Sequence, residues 1–198
     1  QVLKAIKDKG LNSNTLVIFT SDNGGPERMT TNGPYRGFKS AYHEGGIRVP
    51  AAMRWPGRIK AGSTTDAMLH AIDLFPTFCR LAGASTSKGQ PLDGLDAWTA
   101  ISSADPSPRD EIVHSLQVIR RGDWKLIEKG ASYYTWTDQP LQLYNIRQDP
   151  YEKRNLAGER PEIVAQLSER LASHRKSARP EEPPERIPNH PPAVYGED

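Results

Sequence analysis

Leu16-Val17-Ile18-Phe19 is an unbroken apolar run between Asn14-Thr15 and the turn-rich segment Ser21-Asp22-Asn23-Gly24-Gly25-Pro26. A short run without alternation predicts a strand covered on both faces. Before it, QVLKAIKDKG sets Val2, Leu3 and Ile6 on one side and Lys4, Lys7 and Lys9 on the other, which predicts an amphipathic helix closed by Gly10. Helix then buried strand is half of a βαβ unit. The chain opens inside this helical pattern without an initiator methionine, which predicts that it continues a longer protein. Residues 21–48 are dense in Gly, Pro and polar groups and too long for a plain connection, so they are expected to be a functional loop. Val49 to Trp55 reads as a second strand, stopped by Pro56-Gly57.

Residues 66–84 (DAMLHAIDLFPTFCRLAGA) keep a helical period through Met68, Leu69, Ile72, Phe75, Phe78, Cys79 and Leu81, with Asp73 as candidate N-cap and Gly83 as the stop. Residues 92–101 read as a turn and short helix. Past Pro106-Ser107-Pro108 the pattern turns to short strands at 111–116, 118–121 and 124–128, with Arg121-Gly122-Asp123 as a tight turn and a further strand at 141–145. Pro161 opens a last helix with Ile163, Val164, Leu167 and Leu171 as its apolar stripe. Three segments follow: 1–105, 106–177 as a small antiparallel sheet with a helix, and 178–198 as an extended or disordered tail rich in Pro, Glu and Arg.

Composition narrows the function. The 198 residues carry a net charge of +2 with acidic and basic groups interspersed, so the clustered basic face of a nucleic-acid binder is not expected. One cysteine, Cys79, precludes an intrachain disulfide and a CxxC zinc site, and is read as a packed core thiol. No apolar run nears the ~20 residues that span a bilayer.

Candidate chemistry lies just after the first strand. Asp22 and Asn23 are adjacent hard oxygen donors at a strand's carboxyl end, where open α/β sheets bind ligands, and they suit Ca²⁺ or Mg²⁺. The same triplet with Gly24 is ordinary turn chemistry. In GPYRGFKSAYHEGGIRVP (33–50), Arg36 and Lys39 bring positive charge near that strand end, where an ammonium group can neutralise an oxyanion. A solvated surface lysine is the other reading of Lys39.

Together these pieces resemble the sulfatases of the alkaline-phosphatase superfamily. Arg36, Gly37, Lys39, Glu44, Gly45, Gly46, Arg48 and Pro50 fill the pattern R-G-x-K-x-x-x-x-E-G-G-x-R-x-P after the strand ending in Asp-Asn-Gly. Downstream, Asp73 to Thr77 with Leu81-Ala82-Gly83 is similar to "D-x-x-P-T … L-A-G". Leu92-Asp93-Gly94 resembles the "D-G" turn, and Arg120 to Ile127 the "R-x-G-x-x-K-L-I" hairpin. Leu143-Tyr144-Asn145, Asp149-Pro150, Glu152 and Asn155-Leu156-Ala157 resemble the "L-Y-D-x-x-x-D-P-x-E-x-x-N-L-A" ending.

The resemblance implies an α/β fold: the C-terminal part of an alkaline-phosphatase-like mixed sheet with flanking helices, plus a small antiparallel sheet with a C-terminal helix. It implies that Asp22 and Asn23 hold a divalent metal, Ca²⁺ ahead of Mg²⁺, and that Lys39 contacts the sulfate oxygens. It also implies a formylglycine nucleophile, further metal ligands and leaving-group residues upstream of this chain, so the chain alone is expected to be inactive and to expose apolar faces. The implied substrate is a sulfated small molecule or glycan, in a periplasmic, secreted or lysosomal setting, with the oligomeric state open. Glu44 is expected to pair with an arginine and hold the loop. His43 is read as a surface or substrate-rim residue, and His70 and His114 as structural or exposed. The rival readings are a phosphoryl or phosphonate ester hydrolase of the same superfamily and a non-catalytic module that binds anionic glycans.

Overall fold

The computed structural model describes residues 1–87, 91–131 and 140–178. The tail expected from residue 178 therefore lies, past that residue, outside the described residues.

Helix α1 (Val2–Asp8) closes as its sequence implies: the N–H groups of Gly10 and Leu11 donate to the carbonyls of Lys7 and Ile6, both at 3.0 Å, with Gly10 at φ +70°. This crossed pair is a Schellman closure, which puts C′ in the left-handed region that glycine enters without strain. Strand β1 (Val17–Thr20) pairs antiparallel with β2 (Ala51–Arg54) in a two-stranded ribbon. The α1–β1 order is that of half a βαβ unit, but within the described residues the neighbour of β1 is not a parallel strand. The connection from β1 folds back through the glycine-rich loop and the one-turn helix α2 (Glu44–Ile47), so β2 returns alongside β1 in the opposite sense. Nor is β1 covered on both faces here, since Phe19 is 69% exposed.

The helix expected over residues 66–84 is shorter. A 3₁₀ turn (Ala71–Asp73) leads into α3 (Leu74–Leu81), so Pro76 becomes the third helical residue, where the lack of an N–H costs no bond. A helix running on from Asp66 would have asked Pro76 for a hydrogen bond to the Ile72 carbonyl. Asp73 makes no side-chain cap to α3. Instead it accepts from the backbone N–H groups of His70 (2.8 Å) and Leu95 (2.9 Å) and takes both arms of Arg109, with Nε at 2.8 Å. Burial alone would raise the Asp73 carboxyl, but the Arg109 hydrogen bond and these two backbone donors outweigh it and hold its pKa below the ordinary value. Cys79 on α3 is half-buried rather than packed in a core. Helix α4 (Trp98–Ser103) follows, with Trp98 edge-on to Trp55 at 5.7 Å.

Strands β3 (Glu111–Ser115), β4 (Val118–Arg121), β5 (Trp124–Ile127) and β6 (Gln142–Asn145) form an antiparallel sheet in sequence order. Its register sets two faces. Val113, Ile119, Leu126 and Leu143 stand in one row across the strands and pack against Leu167 and Leu171 of α5 (Pro161–Ser177). Each such side chain stabilises by about 1.5–3 kcal/mol, so this apolar seam outweighs surface ion pairs, worth about 0–1 kcal/mol each. On the other face Arg120, Lys125 and Tyr144 form a row beside Val118, Ile127 and Gln142. That face is buried too, because the glycine-rich loop lies on it: Tyr42 packs against Val118, Ile127 and Tyr144.

Candidate active site

The turn after β1 is held from both sides. Ser21 Oγ donates to the Asn23 carbonyl (3.0 Å), and the Asn23 amide nitrogen donates to the Asp22 carboxylate. Two residues on, the Gly25 N–H donates to Asn32 Oδ1 (2.7 Å), while Asn32 Nδ2 donates to the carbonyls of Gly25 and Gly37, both at 3.1 Å. The Lys39 N–H also reaches the Gly25 carbonyl (3.0 Å). Asn32 is thus a clip between the Asp-Asn turn and the basic loop. Sequence reading missed it, since an Asn in a polar loop carries no signal of which nearby backbone groups, here five and seven residues away, it will bond.

Close backbone approach explains the glycines. The Gly24 N–H donates to the Gly46 carbonyl at 2.9 Å, and a Cβ on Gly24 would lie 1.9 Å from the Gly45 oxygen. A Cβ on Gly46 would lie 2.1 Å from the Ala41 oxygen. Neither position accommodates a side chain without moving backbone.

Asp22 is exposed, Asn23 is half-buried, and Lys39 is exposed with its backbone tied two residues beyond Asn23. Asn23 lines a cleft of about 430 Å³ with Ser21, Thr30, Asn32, Tyr35 and Arg48, whose guanidinium lies 4.9 Å from the centre of the Tyr35 ring. Among the described residues no three His, Cys, Asp or Glu side chains cluster to hold a metal. Asp22 and Asn23 are hard, accessible donors that fit Ca²⁺, but Ca²⁺ takes about 6–8 oxygens, so they would fill only part of its shell.

Beneath the loop lies an ionic joint that the sequence did not disclose. Lys125 Nζ on β5, with no exposed surface, donates to Glu44 Oε1 (3.0 Å) and Glu152 Oε1 (2.9 Å). Glu152 Oε2 accepts the backbone N–H of Glu44 (2.7 Å). Arg36 donates to the Glu152 carbonyl (3.3 Å) and to the Tyr144 hydroxyl (2.7 Å), which in turn donates to Gln142 Oε1 (2.7 Å). Burial pushes the Glu152 carboxyl up despite the ammonium beside it, and raises the Tyr144 hydroxyl. Glu44 therefore does hold the loop, chiefly through a lysine. An arginine also pairs with it as expected: Arg48 stands at 3.7 Å and is half-exposed.

His43 is corrected from rim to interior. It is buried, Nε2 lies 2.9 Å from Gln142 Oε1, and desolvation, with the charges of Arg36 and Lys125, lowers its pKa to about 4. Because Gln142 Oε1 can only accept, His43 carries its proton on Nε2. His114 is likewise lowered by burial, to about 3, and its ring lies 6.5 Å from that of His70.

The letters Arg36, Glu44, Lys125, Tyr144 and Glu152 come from three separate motif segments of the sequence and meet in this one joint. The chain is mixed α/β with antiparallel sheets, and it matches solved structures of alkaline-phosphatase-like fold. A solved structure described under metabolism of glycosaminoglycans by Bacteroides thetaiotaomicron (6S-sulf) matches with a TM-score of 0.76 and 31% identity, covering 88% of this chain and 42% of that one. Mouse arylsulfatase J is 30% identical over 242 residues, covering 98% of this chain and 40% of the relative. The phosphonate monoester hydrolase of Agrobacterium radiobacter matches with a TM-score of 0.62 and 25% identity, over 89% of this chain and 38% of that one. The sulfatase family model matches residues 1–84. The chain belongs to the sulfatase family. It spans about two fifths of the length of the relatives it matches.

Proposed function

We propose that this chain is the C-terminal portion of a sulfate-ester hydrolase, converting R–O–SO₃⁻ and water to ROH, sulfate and a proton. Asp22 and Asn23 hold Ca²⁺, and the Lys39 ammonium neutralises a non-bridging sulfate oxygen. When bound, the calcium polarises the sulfate and stabilises charge developing in the transition state. The nucleophile, a formylglycine in the family's pattern, belongs to a segment outside this chain, as do the remaining metal ligands, so these 198 residues alone turn over no substrate.

The observation that carries the reading is the tie between the two pieces: Lys39 is hydrogen-bonded through its backbone to Gly25, next to a cleft lined by Asn23. The exposed apolar side chains of Val2, Leu3, Phe19 and Phe75 support a larger protein covering this surface. The substrate is a sulfated small molecule or glycan, and the setting periplasmic, secreted or lysosomal. Among the described residues no helix is long and apolar enough to cross a membrane. The likeness to a phosphonate monoester hydrolase supports a second reading, hydrolysis of phosphonate or phosphate esters at the same residues.

The test is the longer protein, assayed with 4-nitrophenyl sulfate and with phenylphosphonate esters. Sulfate turnover should dominate, and Lys39→Ala should cut kcat about 10²–10³-fold, the loss typical of removing one oxyanion donor. Faster phosphonate turnover would favour the second reading. Equal turnover by wild type and Lys39→Ala would remove Lys39 from the mechanism.

A further inference from the structure

Asn23 is followed by Gly24, whose N–H is bonded to Gly46 and whose Cα sits against the Gly45 carbonyl. Gly45 and Gly46 belong to α2, which starts at Glu44. Glu44 is fixed twice, its carboxylate by Lys125 of β5 and its backbone N–H by Glu152 in the loop after β6. Lys39 lies within the same stretch, between Arg36, which reaches Glu152 and Tyr144, and His43, which reaches Gln142. The turn is continuous with β1, and Tyr42 packs on the cluster that holds Val118, Ile127 and Tyr144; beyond these, polar ties from the basic loop run from Arg36, His43 and Glu44 to β5, β6 and Glu152.

From this arrangement we propose that Lys125 and Glu152 are positioning residues: the Glu44–Lys125–Glu152 joint sets the placement of α2, and through it the seating of the Asp22–Asn23 turn and of Lys39. The catalytic consequence rests on the function proposed above, whereas the mechanical one does not. A buried ion triad that served stability alone would need only charge balance and would be replaceable by apolar side chains. This one does something an apolar cluster cannot, because the second oxygen of Glu152 is bonded to the backbone of the segment it seats. Glu152 itself has φ +54°, a backbone state rare for a side-chain-bearing residue, at the turn that aims its carboxylate under the loop. Glycine contacts under 2.5 Å from a would-be Cβ leave little slack between joint and turn, so a shift of α2 is passed on to Asn23 rather than absorbed.

The experiment is Glu152→Gln in the longer protein, read by amide exchange and by kinetics. Exchange in peptides covering residues 22–25 and 36–46 should quicken about tenfold or more, while peptides covering β4 and β5 keep their protection. If sulfate esters are turned over, kcat should fall about ten- to a hundredfold, as displacements near 1 Å can cause, with KM changed less. Exchange that rises equally in both regions, or in neither, overturns the proposal. Should Glu152→Gln not fold, Glu44→Gln keeps the Lys125–Glu152 pair and should quicken the same loop peptides about threefold; unchanged exchange there overturns it too. Loop release in a protein that hydrolyses no sulfate ester would uphold the joint and refute the sulfatase reading.

Discussion

Replacing Lys125 by methionine removes the one cation between two buried carboxylates. The side chain has no exposed surface, and its ammonium sits 3.0 and 2.9 Å from Glu44 and Glu152. Those oxygens share a nitrogen neighbour, so they lie no more than about 6 Å apart, and at an effective dielectric near 20 their repulsion is about 3 kcal/mol. Two charge-assisted hydrogen bonds vanish as well, against a modest gain from burying a thioether in place of an ammonium. The net loss should be about 3–5 kcal/mol, the range for breaking a buried pair by removing one partner. Urea unfolding at pH 7 measures it. The pH dependence gives the argument a sign. Burial already raises the Glu152 carboxyl, and losing Lys125 should raise it further. A carboxyl raised in the folded state destabilises above its folded pKa and ceases to do so below the unfolded value, about 4.3. The gap between variant and wild type should therefore narrow as pH falls to about 4. Adding Glu44→Gln and Glu152→Gln should recover about half the loss or more by removing the uncompensated charges. A loss under about 1 kcal/mol at pH 7, or one indifferent to pH, would refute the buried-triad reasoning.

Three other outcomes follow from the geometry. His43, lowered to about 4, should remain neutral with its proton on Nε2 at pH 5.5 in ¹⁵N-detected imidazole spectra; since an unfolded histidine titrates near 6.5, stability should fall between pH 6.5 and 4 as the unfolded chain takes up the proton first. Gly24→Ala would drive a Cβ against the Gly45 oxygen and should speed exchange at the Lys39 amide by about tenfold with little change in β4 or β5. Arg109→Gln should strand the buried Asp73 carboxylate and lower stability by about 3–5 kcal/mol at pH 7. Because Asp73 is held below its ordinary pKa, that stabilisation is present above the unfolded value and is lost as pH falls through the folded one, so the variant's deficit should shrink in acid.

Elements whose signals are local were legible in the sequence. The Arg121-Gly122-Asp123 turn between β4 and β5, Pro161 at the start of α5 and Gly10 after α1 each declare themselves within a few residues. Elements whose shape depends on distant partners were not. The helix expected over 66–84 lost its first half because Pro76 cannot donate and Asp73 is claimed by Arg109, 36 residues away. His43 looked like a rim residue because its cover, Gln142, lies 99 residues along the chain. The burial of Lys125 had no local signal, because the loop that lies over it is 81 residues earlier. Gly45 and Gly46 suggest close backbone approach in the sequence, though not what they contact, whereas Gly24 reads there only as turn chemistry.

The central claim is spatial: two oxygen donors at the end of β1 and the Lys39 ammonium serve one anion. A crystal structure of the longer protein soaked with Ca²⁺ and a sulfate ester tests it most directly. The account requires Asp22 and Asn23 side-chain oxygens about 2.3–2.6 Å from the cation and Lys39 Nζ about 2.7–2.9 Å from a sulfate oxygen. A cation bound elsewhere, with Lys39 extended into solvent, would contradict it.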